Sequence, residues 1–271
     1  MSVSVAHQGA APIVARQPIE QGDIGHGVFM AQETRQRLLH RLLWQKAIND
    51  PVTEPRNRLA NLSALRQWQA NRLAAGFADF LANPIQRPAA EFFLSDLYGD
   101  RDFSARDRDA AKILPVMSRL LPESLLRAAT DAIELAVLSH AFDLRMAEAL
   151  LLRPDPSAEI RVEEYANAYR SIGLPRLRQH QIALILRVGH ALDAAVHKHG
   201  VAKLLRASKL PAQLAGVSEL QQFLQRGFTA FAALGGAESF LGEIARRESL
   251  AMKRLFSGDP QPFAQLNSSS R

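Results

Sequence analysis

Apolar residues recur three and four positions apart along most of the chain, and this spacing predicts one helix after another. Leu38, Leu39, Leu42, Leu43 and Ala47 form a stripe over 28–49, broken by Pro51 and Pro55. Leu59, Leu62, Leu65, Trp68, Leu73, Phe77, Phe80 and Leu81 predict a second helix over 55–82. Asn83-Pro84 ends it, because a residue before proline is pushed out of the helical region. A short helix opens at Pro88 and closes at Gly99, and a further run over 105–121 is kinked or split by Pro115. The stretch 122–152 is apolar over much of its surface, which predicts a central helix. Helices follow over 158–171, 175–198, 201–209 with an extension to 214, 219–233 and 237–257, punctuated by Gly173-Leu174-Pro175, His199-Gly200 and Gly235-Gly236.

No strand-like alternation bounded by turns occurs, and Val and Ile are sparse. The expectation is an all-α protein, a multi-helix bundle of roughly nine helices joined by short connections. Residues 1–27 lack helical periodicity and carry several Gly and Pro, so they read as a flexible N-terminal arm. The bundle domain is expected over 28–257, and 258–271 reads as a frayed tail.

Residues 91–109 are the most particular stretch. Phe92, Phe93, Tyr98 and Phe103 sit among five aspartates and three arginines, with Gly99 at the bend. Ser104 and Asp107 form an S-x-x-D capping signature, so the stretch predicts a helix, a corner and a new helix. Two readings compete. In one, the aromatics anchor a turn and the charges satisfy each other and the helix ends. In the other, Asp96, Tyr98, Asp102, Phe103 and Arg106 form a contact surface for a partner, since aromatic and Arg side chains are the usual interface anchors. A calcium loop fits poorly, because Ala105 and Ala111 stand where the turn glycine and the bidentate acid belong.

This stretch, together with Leu220-Gln221-Gln222-Phe223-Leu224, Gly227-Phe228, Ala230-Phe231, Gly235-Gly236-Ala237 and Phe240-Leu241, resembles a family of uncharacterised helical proteins from bacteria. The resemblance covers about residues 30–257. It implies an all-helical bacterial protein and carries no catalytic residue across.

Composition narrows the chemistry. The 271 residues suffice for a real core, and the absence of cysteine excludes disulfides, thiolate metal sites and cysteine nucleophiles. Net charge is +6, from 33 basic residues of which 27 are Arg and 6 are Lys. They are dispersed and often beside an acid, which argues against nucleic acid as the partner. The one biased region is 35–72, with Arg35, Arg37, Arg41, Lys46, Arg56, Arg58, Arg66 and Arg72 against Asp50 and Glu54. No secretory signal and no apolar run of membrane-spanning length is visible, so no membrane insertion and a cytoplasmic location are expected.

Two helical stretches repeat a pattern: His140-x-x-Asp143 and His190-x-x-Asp193, the second extended by His197. Spacings of three and four place these side chains on one helix face. Facing helices with such pairs hold divalent metals in some bundles, so His140, Asp143, His190, Asp193 and His197 are the candidate metal ligands. The bland reading is a set of local hydrogen bonds. Glu134 is six residues before His140 and points elsewhere. No cofactor is expected otherwise, and no nucleophile elbow, phosphate loop or dinucleotide fingerprint occurs. Phe223, Phe228, Phe231 and Phe240 read as core. No catalytic residue is assigned, and whether the chain is an enzyme stays open. The leading expectation is a non-enzymatic protein-interaction or regulatory module with a protein partner or self-association. The alternative is a bundle holding a metal ion or apolar ligand between helices, and nucleic-acid binding through 35–72 stands third.

Overall fold

The computed structural model describes residues 22–97, 122–153, 155, 158–214 and 218–264. Among them every regular element is a helix, as the apolar spacing requires. We number the helices α1 (Gly22–Asn49), α2 (Leu62–Gly76), α3 (Ala78–Ala82), α4 (Arg87–Phe92), α5 (Glu123–Leu150), α6 (Val162–Ile172), α7 (Pro175–Val196), α8 (Val201–Ala207), α9 (Lys209–Leu214), α10 (Ser218–Leu234) and α11 (Glu238–Ser257). None is long and apolar enough to cross a membrane.

α5 is the central helix, as its nearly all-round apolar surface predicts. It packs on α1, α2, α6 and α7. α7 runs antiparallel to it: Arg187 near one end binds Asp131, and Arg178 near the other lies on the ring of Phe142. α1 runs alongside in the same direction, with Arg37 and Arg41 reaching Asp131 and Glu134.

Two apolar clusters result. The larger joins α1, the end of α2, α3, α4, α5 as far as Phe142, α7, α8, α9, α10 and the start of α11. The smaller joins α2, the last half of α5, α6 and the end of α11, with Tyr165 and Tyr169 at its centre.

Several boundaries differ from the sequence expectation, each for a visible reason. α1 begins at Gly22, inside the expected arm; residues 1–21 lie outside the described residues. The expected helix 55–82 is divided. Pro55–Arg58 is a single 3₁₀ turn, because Asn57 and Asn61 spend their amides on the carbonyls of Ile48 and Ala147. A second break falls at Phe77, where the Gly76 carbonyl accepts a hydrogen bond from Arg247 rather than continuing the ladder. α4 passes into a π-helical turn, Phe93–Leu97. α6 starts at Val162, not 158, because Glu164 reaches back to accept the Arg161 backbone N–H at 3.0 Å. The corner at Gly99 and the kink at Pro115 lie outside the described residues.

The expected frayed tail is docked over its first part. Gly258 closes α11 at φ 79°, and Phe263 then packs on Trp68 and Tyr165.

Candidate functional site

Where the two apolar clusters meet, the interior turns polar. A cavity of about 80 Å³ lies between α2, α5, α6, α7 and α11. α2 contributes Gln69 and Arg72, α5 Ser139 and Asp143, α6 Tyr165 and Tyr169, α7 Arg178 and Gln181, and α11 Glu248. Leu73 and Ile185 of the larger cluster and Met252 and Leu255 of the smaller one complete the wall.

Arg178 dominates the electrostatics. Its side chain is only 7% exposed. The guanidinium lies 3.5 Å from the centre of the Phe142 ring and 4.4 Å from that of Tyr169, so two aromatic rings pack against the cation. Nη1 donates to Gln181 Oε1 at 3.3 Å. Nε and Nη2 are buried with no hydrogen-bond acceptor among the described residues. Leaving buried donors unmade costs about 1–3 kcal/mol each, more when charged, so this is a costly arrangement for packing alone.

The neighbouring cation is served differently. Arg72 Nη1 stands 2.8 Å from Glu248 Oε1 and its charge is neutralised there. Gln181 turns its amide to Ser139 Oγ at 2.8 Å, which fixes its carbonyl toward Arg178. Burial pushes the Asp143 carboxyl up to about 6, against the charge of Arg66 and a hydrogen bond from Gln69. Burial likewise pushes the Tyr169 phenol well up, so it stays a neutral donor.

Three observations locate the expected metal ligands. His140 is buried and both ring nitrogens are engaged: Nδ1 with Arg66 Nη2 at 2.6 Å and Nε2 with Asn57 Oδ1 at 2.8 Å. Since Arg cannot accept, Nδ1 is the acceptor and Nε2 carries the proton. Asp143 meets the same Arg66, at 3.4 Å. The second set is elsewhere. Arg178 packs on Phe142, and His190 lies 12 residues farther along α7, about 18 Å at 1.5 Å per residue. There His190 is 3.9 Å from Glu238, and His197 is 3.8 Å from Asp193. The two sets are therefore not brought together. Among the described residues no group of three or more His, Asp or Glu side chains is placed to hold a metal ion.

Of the expected contact surface, Asp96 is described and is buried. Its Oδ1 accepts from Arg226 Nε and Nη2 at 3.0 and 2.7 Å, and its Oδ2 from Ser95 at 2.7 Å. Tyr98, Asp102, Phe103 and Arg106 lie outside the described residues. The basic stretch 35–72 spends much of its charge on acids of the chain itself, on Glu134, Asp143 and Glu248 in partly buried pairs and on Asp131 and Glu148 nearer the surface.

A family model for a domain of unknown function (DUF8198) matches residues 49–262. The chain belongs to the DUF8198 family. No curated protein and no solved structure matches it. Every residue named above as lining the cavity falls within the DUF8198 span, whereas α1 precedes that span except for Asn49.

Sequence reasoning passed over Arg178, read Arg72 only as part of the basic stretch 35–72, and did not single out Glu248. A signal for Arg178 was present. It stands four and seven residues before Ile182 and Ile185, in register with the buried stripe of α7, so a charge was written into an apolar face.

Proposed function

We propose that the DUF8198 domain is a ligand-binding, regulatory module whose site is the polar cavity inside the bundle. One observation carries this reading: a nine-tenths-buried arginine with two donors that no group among the described residues serves, on the wall of a cavity. Native proteins leave few buried polar groups unserved, and such groups mark places where something else supplies the partner. The cavity wall is drawn from both apolar clusters, so a bound molecule ties α6 and the end of α11 to the rest of the bundle. Occupancy is then expressed as a change in how firmly these elements dock. The test is ligand-observed NMR on the full chain against mixtures of small polar molecules, repeated with Ala251→Phe, which fills the cavity from α11. Hits lost in that variant are expected. A complete absence of hits, or hits unchanged by filling the cavity, would overturn the reading.

A protein partner at Asp96, Tyr98, Asp102, Phe103 and Arg106 is the second reading. The Arg226 clamp on Asp96 supports it by fixing the chain two residues before Tyr98. Sedimentation of the full chain and of Arg226→Met tests it for self-association: a shift in oligomeric state with folding intact favours it, and an identical profile counts against it.

A further inference from the structure

The cavity's lining specifies more than the presence of a ligand. Accepting that the ligand sits in this cavity, we propose that it is a small monoanionic carboxylate, gripped edge-on by Nε and Nη2 of Arg178. Three features of the site converge on that class.

The first is the shape of the grip. Nε and Nη2 share one edge of the guanidinium, and two parallel N–H groups on one edge are the fork that matches the two oxygens of a carboxylate. The opposite side is already used, since Nη1 donates to Gln181. The Phe142 and Tyr169 ring centres lie 3.5 and 4.4 Å from the guanidinium carbon, so the space left around the fork is narrow. A planar carboxylate pairs with that fork in one plane. A tetrahedral phosphate or sulfate carries further oxygens out of that plane and needs more room beside the rings.

The second is charge. Arg72 is neutralised by Glu248, whereas Arg178 has no ion-paired acid among the described residues. Asp143 and Glu248 also line the cavity, each with its own arginine, so among the described residues a dianion would meet two carboxyl groups and only the Arg178 charge, which already acts at longer range on Asp143. A single negative charge balances the site.

The third is size and wall. On the scale by which one water needs about 10–15 Å³, the cavity takes a molecule of roughly six non-hydrogen atoms or fewer. Ile182, Ile185 and Met252 offer an apolar side for a short alkyl group. Ser139 accepts from Gln181, which leaves its own hydroxyl hydrogen as a further donor on the polar side.

The experiment is calorimetric titration of the full chain with sodium acetate, acetamide and inorganic phosphate in separate runs. Acetamide has the shape of acetate without its charge, so the comparison needs no variant. Acetate is expected to bind saturably, with acetamide and phosphate at least about tenfold weaker. Arg178→Lys keeps the charge and loses the fork, and it is expected to weaken acetate at least about tenfold while circular dichroism shows the helices intact. Equal binding of acetate and acetamide overturns the charge argument, and preference for phosphate overturns the carboxylate. Acetate binding unchanged in Arg178→Lys overturns the grip. In those three cases a ligand still occupies the protein and the broader reading stands. If no small molecule of any charge binds, the carboxylate and the interior site fall together.

Discussion

Gly227 of α10 lies against Phe92 of α4 with no room for a side chain: a Cβ there would stand 2.8 Å from Phe92 Cζ and 2.8 Å from Leu192 Cδ1. The ring is rigid and flanked by Phe223 at 5.3 Å and Phe231 at 6.3 Å, so it cannot step aside. Gly227→Ala is expected to cost about 1–3 kcal/mol by overpacking, despite the better helix propensity of Ala. Gly242 supplies the control, since a Cβ there meets nothing within 4 Å. Gly242→Ala is expected to stabilise by about 0.5–1 kcal/mol. Urea unfolding of both variants checks the pair, and a neutral Gly227→Ala would show that α4 and α10 are not packed this closely.

Arg247 is the largest fully buried side chain among the described residues, 1% exposed, and it fastens α11 to the break between α2 and α3. It donates to Asp79 at 2.6 and 2.7 Å, to Glu243 at 2.8 Å and to the Gly76 carbonyl, with its guanidinium 4.6 Å from the Phe80 ring centre. Arg247→Ala is expected to cost about 3–5 kcal/mol, since it removes a buried charge from its partners and leaves a hole. Asp79→Asn should cost far less, about 1 kcal/mol, because Asp79 is 40% exposed and Glu243 still neutralises Arg247. Denaturation midpoints of the two variants test the order. A larger loss from Asp79→Asn would place the energy in the surface acid instead.

These two contacts show which parts of the structure were legible in the sequence. Helix existence followed from period alone, and the two stretches that carry the family resemblance turn out to touch: Phe92 meets Phe223 and Phe231, and Phe93 meets Phe240. Their aromatic and glycine pattern describes one packed seam. The breaks at 59–61 and at Phe77 were not legible, because the groups that cause them come from far along the chain. Asn61 turns to Ala147, and Arg247 turns to Gly76. The candidate site was hidden for the same reason. His140 and Asp143 share a face, but what they face is Arg66 of another helix, which spacing within α5 does not reveal. Arg178 was visible as a charge in an apolar stripe, yet its aromatic neighbours Phe142 and Tyr169 come from two other helices.

Asp143 should give the stability of the fold an unusual dependence on pH. Burial raises its carboxyl from 3.8 to about 6, so between these values the folded chain holds a proton that the unfolded chain has released. Stability from this group is therefore greatest below about pH 4 and is lost as pH rises through about 6. Glu54, Glu164 and Glu243, each held down at about 2, act with the opposite sign and weaken the fold as pH falls below about 4.5. The variant separates the two. Asp143→Asn stays neutral throughout, so it should be more stable than the parent by about 1–3 kcal/mol above pH 6 and should converge with it near pH 4. Urea titrations at both ends of this window decide it. An Asn variant equally destabilised at both would mean that the ion pair with Arg66 outweighs the burial.

Beyond α11 the chain returns to the bundle, and its docking can be read by fluorescence. Trp68 stacks on Tyr165 with ring centres 4.3 Å apart, and Phe263 closes the cluster edge-on at 6.1 Å from Trp68. Arg72, the partner of Glu248 on the cavity wall, lies 5.0 Å from the Phe263 ring, so this segment braces the site from outside. The chain has two tryptophans, and Trp44 is 43% exposed, so a Trp44→Phe background leaves Trp68 as the reporter. In that background Phe263→Ala is expected to shift Trp68 emission to the red as water reaches the indole. It should also lower stability by about 1–3 kcal/mol, less than a fully buried Phe would because the ring is only partly covered. If emission and the unfolding midpoint are both unchanged, the segment contributes nothing to the cluster. If stability falls while emission holds, Phe263 supports Arg72 rather than shielding Trp68.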